Sequence, residues 1–393
     1  MTQTADCIII GGGVIGTSIA YHLAKQGSGR VLLVERRAIC NGTTAHSGAI
    51  VRQHYSHDFT VRMAKESLHL FQHFNDLVGG DCGFIQTGVL IFADQEGEKA
   101  LQANVALQQA QGVNVEVLTP ADVHARCPEY SGNDISLACY EPDAGVADPM
   151  ATTHCFARRA RDYGATILEG AAVQRILIEK GRVTGVETTQ GRFLAPSIVL
   201  AANVWSVALA HQIGISLPIT ATRHPMLALR QPDDMGGRYK AHAVCLDMSR
   251  SLYLRPDPGG VTLVGSCSDV HTPSDPDHYQ QTLTREEISF FAHKAPEIMP
   301  ALARAAMRGG WAGLYDDTPD YHPILSALPD YEGLYCAAGF SGHGFKLSPI
   351  VGQWMAALVR GDTLPADLLH FDIQRFQQGR TIRPQYASSG VLG

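Results

Sequence analysis

The most constraining stretch is the first thirty-five residues, where an apolar run ends in closely spaced glycines and a helical pattern begins at once. Cys7-Ile8-Ile9-Ile10 reads as a buried strand, Gly11-x-Gly13-x-x-Gly16 follows it, and Val14, Ile15, Ile19 and Leu23 recur at helical spacing. Gly27 to Gly29 ends that helix, and Val31 to Val34 forms a second apolar strand closing on Glu35. A strand, glycine turn, helix and strand in this order make a βαβ unit, whose helix start presents free backbone N–H groups to a pyrophosphate. Gly11 permits the tight turn, Gly13 leaves room for the phosphates and Gly16 lets helix and strand approach. Val14 and Ile15 carry the first helical N–H groups. Glu35 is placed to accept hydrogen bonds from both hydroxyls of a ribose without a 2′-phosphate. The fingerprint fits NAD and FAD equally.

The chain has 393 residues, more than one core usually serves, so two domains sharing an interface are expected. Apolar residues make up 45% and charged residues 18%, which favours extensive burial over disorder. A net charge of −7 with no Lys/Arg block argues against nucleic acid, and the apolar run near Ile198 to Ala210 is too short to span a bilayer. Nine cysteines lie scattered from Cys7 to Cys336 without a CxxC pair or metal-like cluster, which reads as reduced structural thiols and no metal site. A strand so near the N-terminus, with no secretory leader pattern before it, makes the cytoplasm the expected compartment.

Helices are expected over Phe59–Leu77 and Glu98–Gln111, with the strand Gly88 to Phe92 between them. An α/β rhythm returns from Asp148: a helix to Tyr163, a strand at Ala165 to Glu169, a hairpin from Val173 to Thr188 and the buried strand Ile198 to Ala202. Pro218 to Leu229 and Ser251 to Gly265 read as strands of a mostly antiparallel sheet. Thr284 to Leu302 reads as a helix interrupted at Pro296, and Gly333 to Gly339 as a strand running into a glycine loop.

Three further segments carry a resemblance. Gly42-Thr43-Thr44-Ala45-His46-Ser47-Gly48, Ala201-Ala202-Asn203-Val204-Trp205-Ser206 and Gly339-Phe340-Ser341-Gly342-His343-Gly344-Phe345-Lys346 resemble, in order, the FAD-contacting segments of the D-amino-acid-oxidase superfamily. The likeness covers essentially the whole chain and is strongest to monomeric sarcosine oxidase and glycine oxidase-like amine oxidases. It implies an α/β and α+β fold, in which a glutathione-reductase-type FAD-binding Rossmann domain (1–82, 148–218 and 320–393) carries an inserted, mainly antiparallel catalytic domain (83–147 and 219–319). It also implies FAD contacts from Arg36, Thr43, Thr44, Ala45, His46, Val173 at the adenine, Ala201, Trp205 and Gly313. The loop from Gly342 through His343, Gly344 and Phe345 to Lys346 would follow the pyrimidine end of the flavin.

By the same resemblance, Arg52 and Lys346 would hold a substrate carboxylate over the flavin, and Tyr315 would line the cavity. A guanidinium fork and an ammonium suit a carboxylate and would fix the neighbouring Cα–H toward flavin N5. The family's flavin-tethering cysteine falls at Gly313, so non-covalent FAD is expected. A second arginine of its flavin-edge segment falls at Ala49, and no lysine occurs between Lys240 and Lys294, where those oxidases carry one that aids reaction with oxygen. Asn203 stands where the family motif has glycine, a position asparagine can fill in left-handed geometry.

The activity implied is oxidation of an amino acid or N-alkyl amino acid. Hydride passes from the carbon beside nitrogen to flavin N5, the imine hydrolyses, and O2 or another acceptor takes the electrons. The alternatives are a 2-hydroxy-acid or polyol-phosphate dehydrogenase, which needs a base such as His54, and a flavin subunit of a hetero-oligomer. Substrate side chain, chirality and oligomeric state stay open.

Overall fold

In the computed structural model, which describes residues 3–132, 134–233, 242–268 and 272–384, the βαβ unit forms as its pattern demands. The strand Cys7–Ile10 is buried along its whole length and pairs in parallel with Val31–Val34 on one side and Ile198–Leu200 on the other. Leu334–Ala338, Ile324–Ala327 and Thr166–Leu168 complete a six-stranded sheet. All but one of its pairings are parallel, and parallel strands buried on both faces need the unbroken apolar runs seen in the sequence.

The helix Val14–Lys25 packs against the helices Pro149–Asp162 and Gly344–Arg360. Asp148 caps the second, accepting from the Met150 and Ala151 N–H groups with Pro149 at the first helical position. Gly361, with φ of 73°, ends the third.

A four-stranded sheet holds the hairpin Val173–Glu179 and Arg182–Thr188 with Gly191–Leu194 and Gln3–Thr4. An eight-stranded sheet runs Ala306–Asp317, Thr220–Arg230, Val261–Ser266, Leu252–Asp257, Val244–Asp247, Val89–Ala93, Leu137–Glu141 and Glu116–Leu118. It is antiparallel except where Val244–Asp247 meets Val89–Ala93. Its core is a separate cluster around Phe92, Tyr130, Leu254 and Phe291.

Two expectations shift. The helix expected over Phe59–Leu77 divides into Asp58–Gln72 and Phe74–Leu77. Pro296 does not interrupt the later helix, which runs Arg285–Ile298 behind a Thr284/Glu287 capping box and gives way to a 3-10 turn over Pro300–Arg304. A proline two residues from a helix end forfeits one hydrogen bond where the ladder is already ending, so it is tolerated there. Residues 385–393, expected in the last piece of the FAD-binding domain, lie outside the described residues.

Candidate active site

A cleft of about 330 Å³ opens over the C-terminal ends of Cys7–Ile10 and Val31–Val34. Gly11 turns there with φ of +118°, and a Cβ on it would stand 2.4 Å from the Ala201 carbonyl oxygen. Gly16 is equally constrained, since its Cβ would stand 1.9 Å from the Gly11 oxygen. It serves helix packing and does not line the cleft, and Ala45 likewise packs against the core. Gly13 is the N-cap of its helix and supplies no side-chain cap, so the helix start faces the cleft with only Val14 N–H engaged by a side chain, 3.2 Å from Thr44 Oγ1. This is an anion site made of backbone.

Glu35 lines the same cleft and is itself fixed: its carboxylate accepts from Gly12 N–H at 2.7 Å and Arg37 N–H at 2.8 Å. Each oxygen retains further acceptor capacity for a ribose hydroxyl. Val173 and Ala201 lie on the wall. The Arg36 guanidinium stacks 4.1 Å from the Trp205 ring centre, and both bond Asp277 Oδ1, Arg36 at 3.0 Å and Trp205 Nε1 at 2.8 Å. Asp277 and Tyr279, from the segment between two strands of the eight-stranded sheet, thus form part of the cleft's rim.

The cleft continues into a second cavity of about 150 Å³, with Val14, Ile15, Thr43, Thr44, His46, Asn203 and Phe340 shared between them. Arg52 reaches it from just beyond the strand Ile50–Val51, which pairs with Gly145–Val146. Lys346 reaches it from the first turn of the helix Gly344–Arg360. Both side chains are buried and both stand over one ring: Arg52 Cζ is 4.9 Å and Lys346 Nζ 5.9 Å from the centre of Tyr55. Tyr55 is held in turn by His343 Nδ1, 3.1 Å from its hydroxyl. Lys346 has no hydrogen-bond or ion-pair partner among the described residues. Burial, with the Arg52 charge beside it, pushes its ammonium well below the ordinary lysine range. An anion entering here would relieve both effects.

Tyr315 arrives by sheet register. On paired strands Thr222 faces Tyr315, His224 faces Gly313 and Met226 faces Trp311. His224 stacks on Tyr315 with ring centres 3.5 Å apart, and His224 Nε2 lies 3.0 Å from Thr222 Oγ1, which donates to Asp317 Oδ2 at 2.5 Å. Burial pushes the Tyr315 phenol up to about 12, so it stays neutral at working pH. Gly313 lies against His46: a Cβ would stand 2.8 Å from that of His46, whose Nδ1 is 3.2 Å from the Gly42 carbonyl.

The C-terminal loop closes the cavity. Gly342 (φ +82°) lies under Tyr315, and a Cβ would come 2.5 Å from its ring. Gly344 and Phe345 line the wall beside it. Asp316 Oδ2 accepts from Gly339 N–H at 2.7 Å, and burial pushes this carboxyl up to about 7.

A family model described as FAD dependent oxidoreductase (DAO) matches residues 6–358. The chain belongs to the FAD-dependent oxidoreductase family. Sarcosine oxidase subunit beta of Arthrobacter sp is 31% identical, over 97% of this chain and 93% of that protein. Mitochondrial sarcosine dehydrogenase of Homo sapiens is 26% identical over 98% of this chain but 43% of its own length, so the chain spans less than half of that relative. The crystal structure of L-proline dehydrogenase from P. horikoshii superposes with a TM-score of 0.88 at 30% identity, covering 96% of this chain and 99% of that one.

For an FAD-dependent oxidoreductase the cleft fits its cofactor. The glycine turn and open helix start suit a pyrophosphate, Glu35 suits an adenosine ribose, and a buried Asn203 Oδ1 at the junction of the cavities lacks a partner among the described residues. Asn203 does adopt the left-handed region, with φ of 52°. The sequence reading missed His224, Tyr253 and Asp316, which also line the inner cavity. The signal for His224 was present as Thr222-x-His224-x-Met226, alternate residues of one strand face. His54 is fully buried outside both cavities, with Nε2 3.3 Å from Asn104 Nδ2 and Nδ1 3.7 Å from Cys139 Sγ. Burial and the Arg52 charge pull it down to about 3, so the base named for alcohol oxidation is not at the site.

Proposed function

We propose that this FAD-dependent enzyme oxidises the bond between nitrogen and the adjacent carbon of an amino acid bearing one carboxylate, with an N-alkyl or ring nitrogen favoured. FAD-dependent oxidation of amino acids and N-alkyl amino acids is the activity that its relatives support. The observation that carries the finer reading is the pair of buried cations, Arg52 and Lys346, over Tyr55 in the cavity that continues the FAD cleft. Arg52 is anchored through the His54 carbonyl, whereas the buried Lys346 ammonium is costly without a counter-charge, which a carboxylate bound beside Arg52 would supply.

Bound FAD supplies the acceptor for a hydride equivalent. The chain's own residues then do the rest: Arg52 and Lys346 fix the carboxylate, and the wall of Tyr315, His224 and Met226 limits the other substituents. The same positive charge, on side chains that are buried, favours a neutral amine, the form that can be oxidised. Support for an N-alkyl or cyclic substrate comes from the relatives named for sarcosine and L-proline.

The reading extends to three further points. FAD is held without a covalent tether, since Gly313 offers no thiol. An acceptor other than O2 is favoured, because no lysine occurs between Lys240 and Lys294. The FAD-binding domain takes residues 1–82, 148–218 and 320–393, and the catalytic domain 83–147 and 219–319, a division supported by the six-, four- and eight-stranded sheets, each of which falls within one set of segments, while the short pair Ile50–Val51 and Gly145–Val146 bridges the two. A second reading, that the chain works as one subunit of a larger assembly, is favoured by the full-length likeness to a protein named as a beta subunit. Purification of the chain alone, with its mass and its turnover against sarcosine, L-proline and glycine using a dye acceptor, tests both. Turnover by the lone chain excludes an obligate partner. No turnover of any amino acid by the chain, alone or in its assembly, overturns the C–N reading.

A further inference from the structure

Asn203 occupies the junction of the two cavities, on the short turn Asn203–Trp205 that follows the strand Ile198–Leu200. Its backbone is held left-handed at φ of 52°. Its side-chain oxygen is buried and has no hydrogen-bond partner, and its amide nitrogen bonds nothing among the described residues either. An amide left so would cost free energy comparable to a lost hydrogen bond, so its position calls for a ligand group. The neighbours fix which part of a dinucleotide passes here. Glu35, Val173 and the helix start line only the outer cleft or its inner edge, and Arg52, Tyr315 and Lys346 only the inner cavity. The junction between them is where the link between the pyrophosphate and the flavin ring must lie.

The chemistry narrows the assignment further. A pyrophosphate only accepts hydrogen bonds, so it cannot satisfy an orphan acceptor. The ribityl chain carries hydroxyls that donate. If the amide is turned the other way, the buried atom becomes a donor to which both hydroxyl and phosphate oxygens are acceptors, and the place of Asn203 between the two cavities is then what points to the ribityl chain. We propose that Asn203 is a cofactor-binding residue that hydrogen-bonds the ribityl hydroxyls of FAD and discriminates FAD from dinucleotides or fragments lacking that chain. The inference rests on the FAD reading of the cleft.

Asn203→Gly removes the amide while keeping a residue at ease in left-handed geometry. FAD affinity is measured on the holoenzyme by equilibrium dialysis, and ADP, which has the adenosine and pyrophosphate but no ribityl chain, is titrated in as the displacing probe. The expected result is FAD bound about five- to tenfold more weakly by the variant, the loss of about one hydrogen bond, with ADP binding unchanged. Unchanged FAD affinity overturns the proposal, and so does equal weakening of FAD and ADP, which would place Asn203 at the pyrophosphate or in the fold alone. Wild-type protein that binds no FAD refutes the cofactor reading instead. If FAD proves impossible to dialyse away, thermal release followed by flavin fluorescence replaces dialysis: flavin released by the variant at a temperature lowered relative to that at which its chain unfolds supports the proposal, and an unchanged gap between the two temperatures overturns it.

Discussion

The Lys346 ammonium stands 5.9 Å from the centre of the Tyr55 ring, in a buried position with no acidic partner among the described residues. Its charge is therefore available to a bound carboxylate. Lys346→Met is expected to raise KM for carboxylate-bearing amines by about 10- to 100-fold, the range for a hydrogen bond to a charged group, with a much smaller effect on the decarboxylated amine. Steady-state kinetics on matched pairs checks this, and equal effects on both members would contradict it.

The pH dependence follows from the same group. Lys346 binds a carboxylate only when protonated, and its value in the folded protein lies below the ordinary 10.5. KM should be lowest below that depressed value and rise as pH increases through it. Lys346→Arg should move the rise to higher pH, because a guanidinium does not titrate in this range. A KM that falls or stays flat at every pH below the ordinary lysine value in the wild type would argue against the assignment.

Asp316 predicts a stability effect of opposite origin. Its carboxyl keeps its proton up to about 7 in the folded chain but loses it near 3.8 when unfolded. The folded state binds more protons between those values, so this contribution is complete below about 3.8 and disappears as pH rises to about 7. Asp316→Asn should flatten that part of the dependence of Tm on pH. An identical slope in the variant would show that another group is responsible.

Gly11→Ala tests the cradle. The added methyl would meet the Ala201 carbonyl at 2.4 Å from a backbone at φ of +118°, so a stability loss of about 3 kcal/mol or more and loss of bound flavin are expected. Chemical denaturation and the flavin content of purified protein measure the two. Retention of both would contradict the tight-turn role.

Acid precipitation addresses the attachment of FAD. Flavin should pass fully into the supernatant, and flavin retained on the protein pellet would refute the non-covalent reading.

Much of this was legible in sequence because it is local. Gly11, Gly13 and Glu35 belong to one short βαβ unit whose geometry leaves little choice, and Lys346 sits in the distinctive loop after Gly339. His224, Tyr253 and Asp316 depend on which strands pair: the register placing Thr222 opposite Tyr315 and His224 opposite Gly313, with Tyr253 opposite Gly265 on the neighbouring strands, brings them to one cavity. The same long-range closure buries His54 outside both cavities, where it cannot serve as the base that an alcohol substrate would need. Gly16 shows a further limit, since a motif glycine can serve helix packing without touching a ligand.

The central claim is that Arg52 and Lys346 present an amino acid to FAD. Anaerobic mixing of the FAD-loaded protein with sarcosine, L-proline and a broader amino acid panel, followed through the flavin's visible absorbance, tests it most directly. The account predicts that at least one carboxylate-bearing amine bleaches the flavin, and does so far faster than its decarboxylated analogue. Flavin left oxidised by the whole panel, or bleached equally well without the carboxylate, would contradict it.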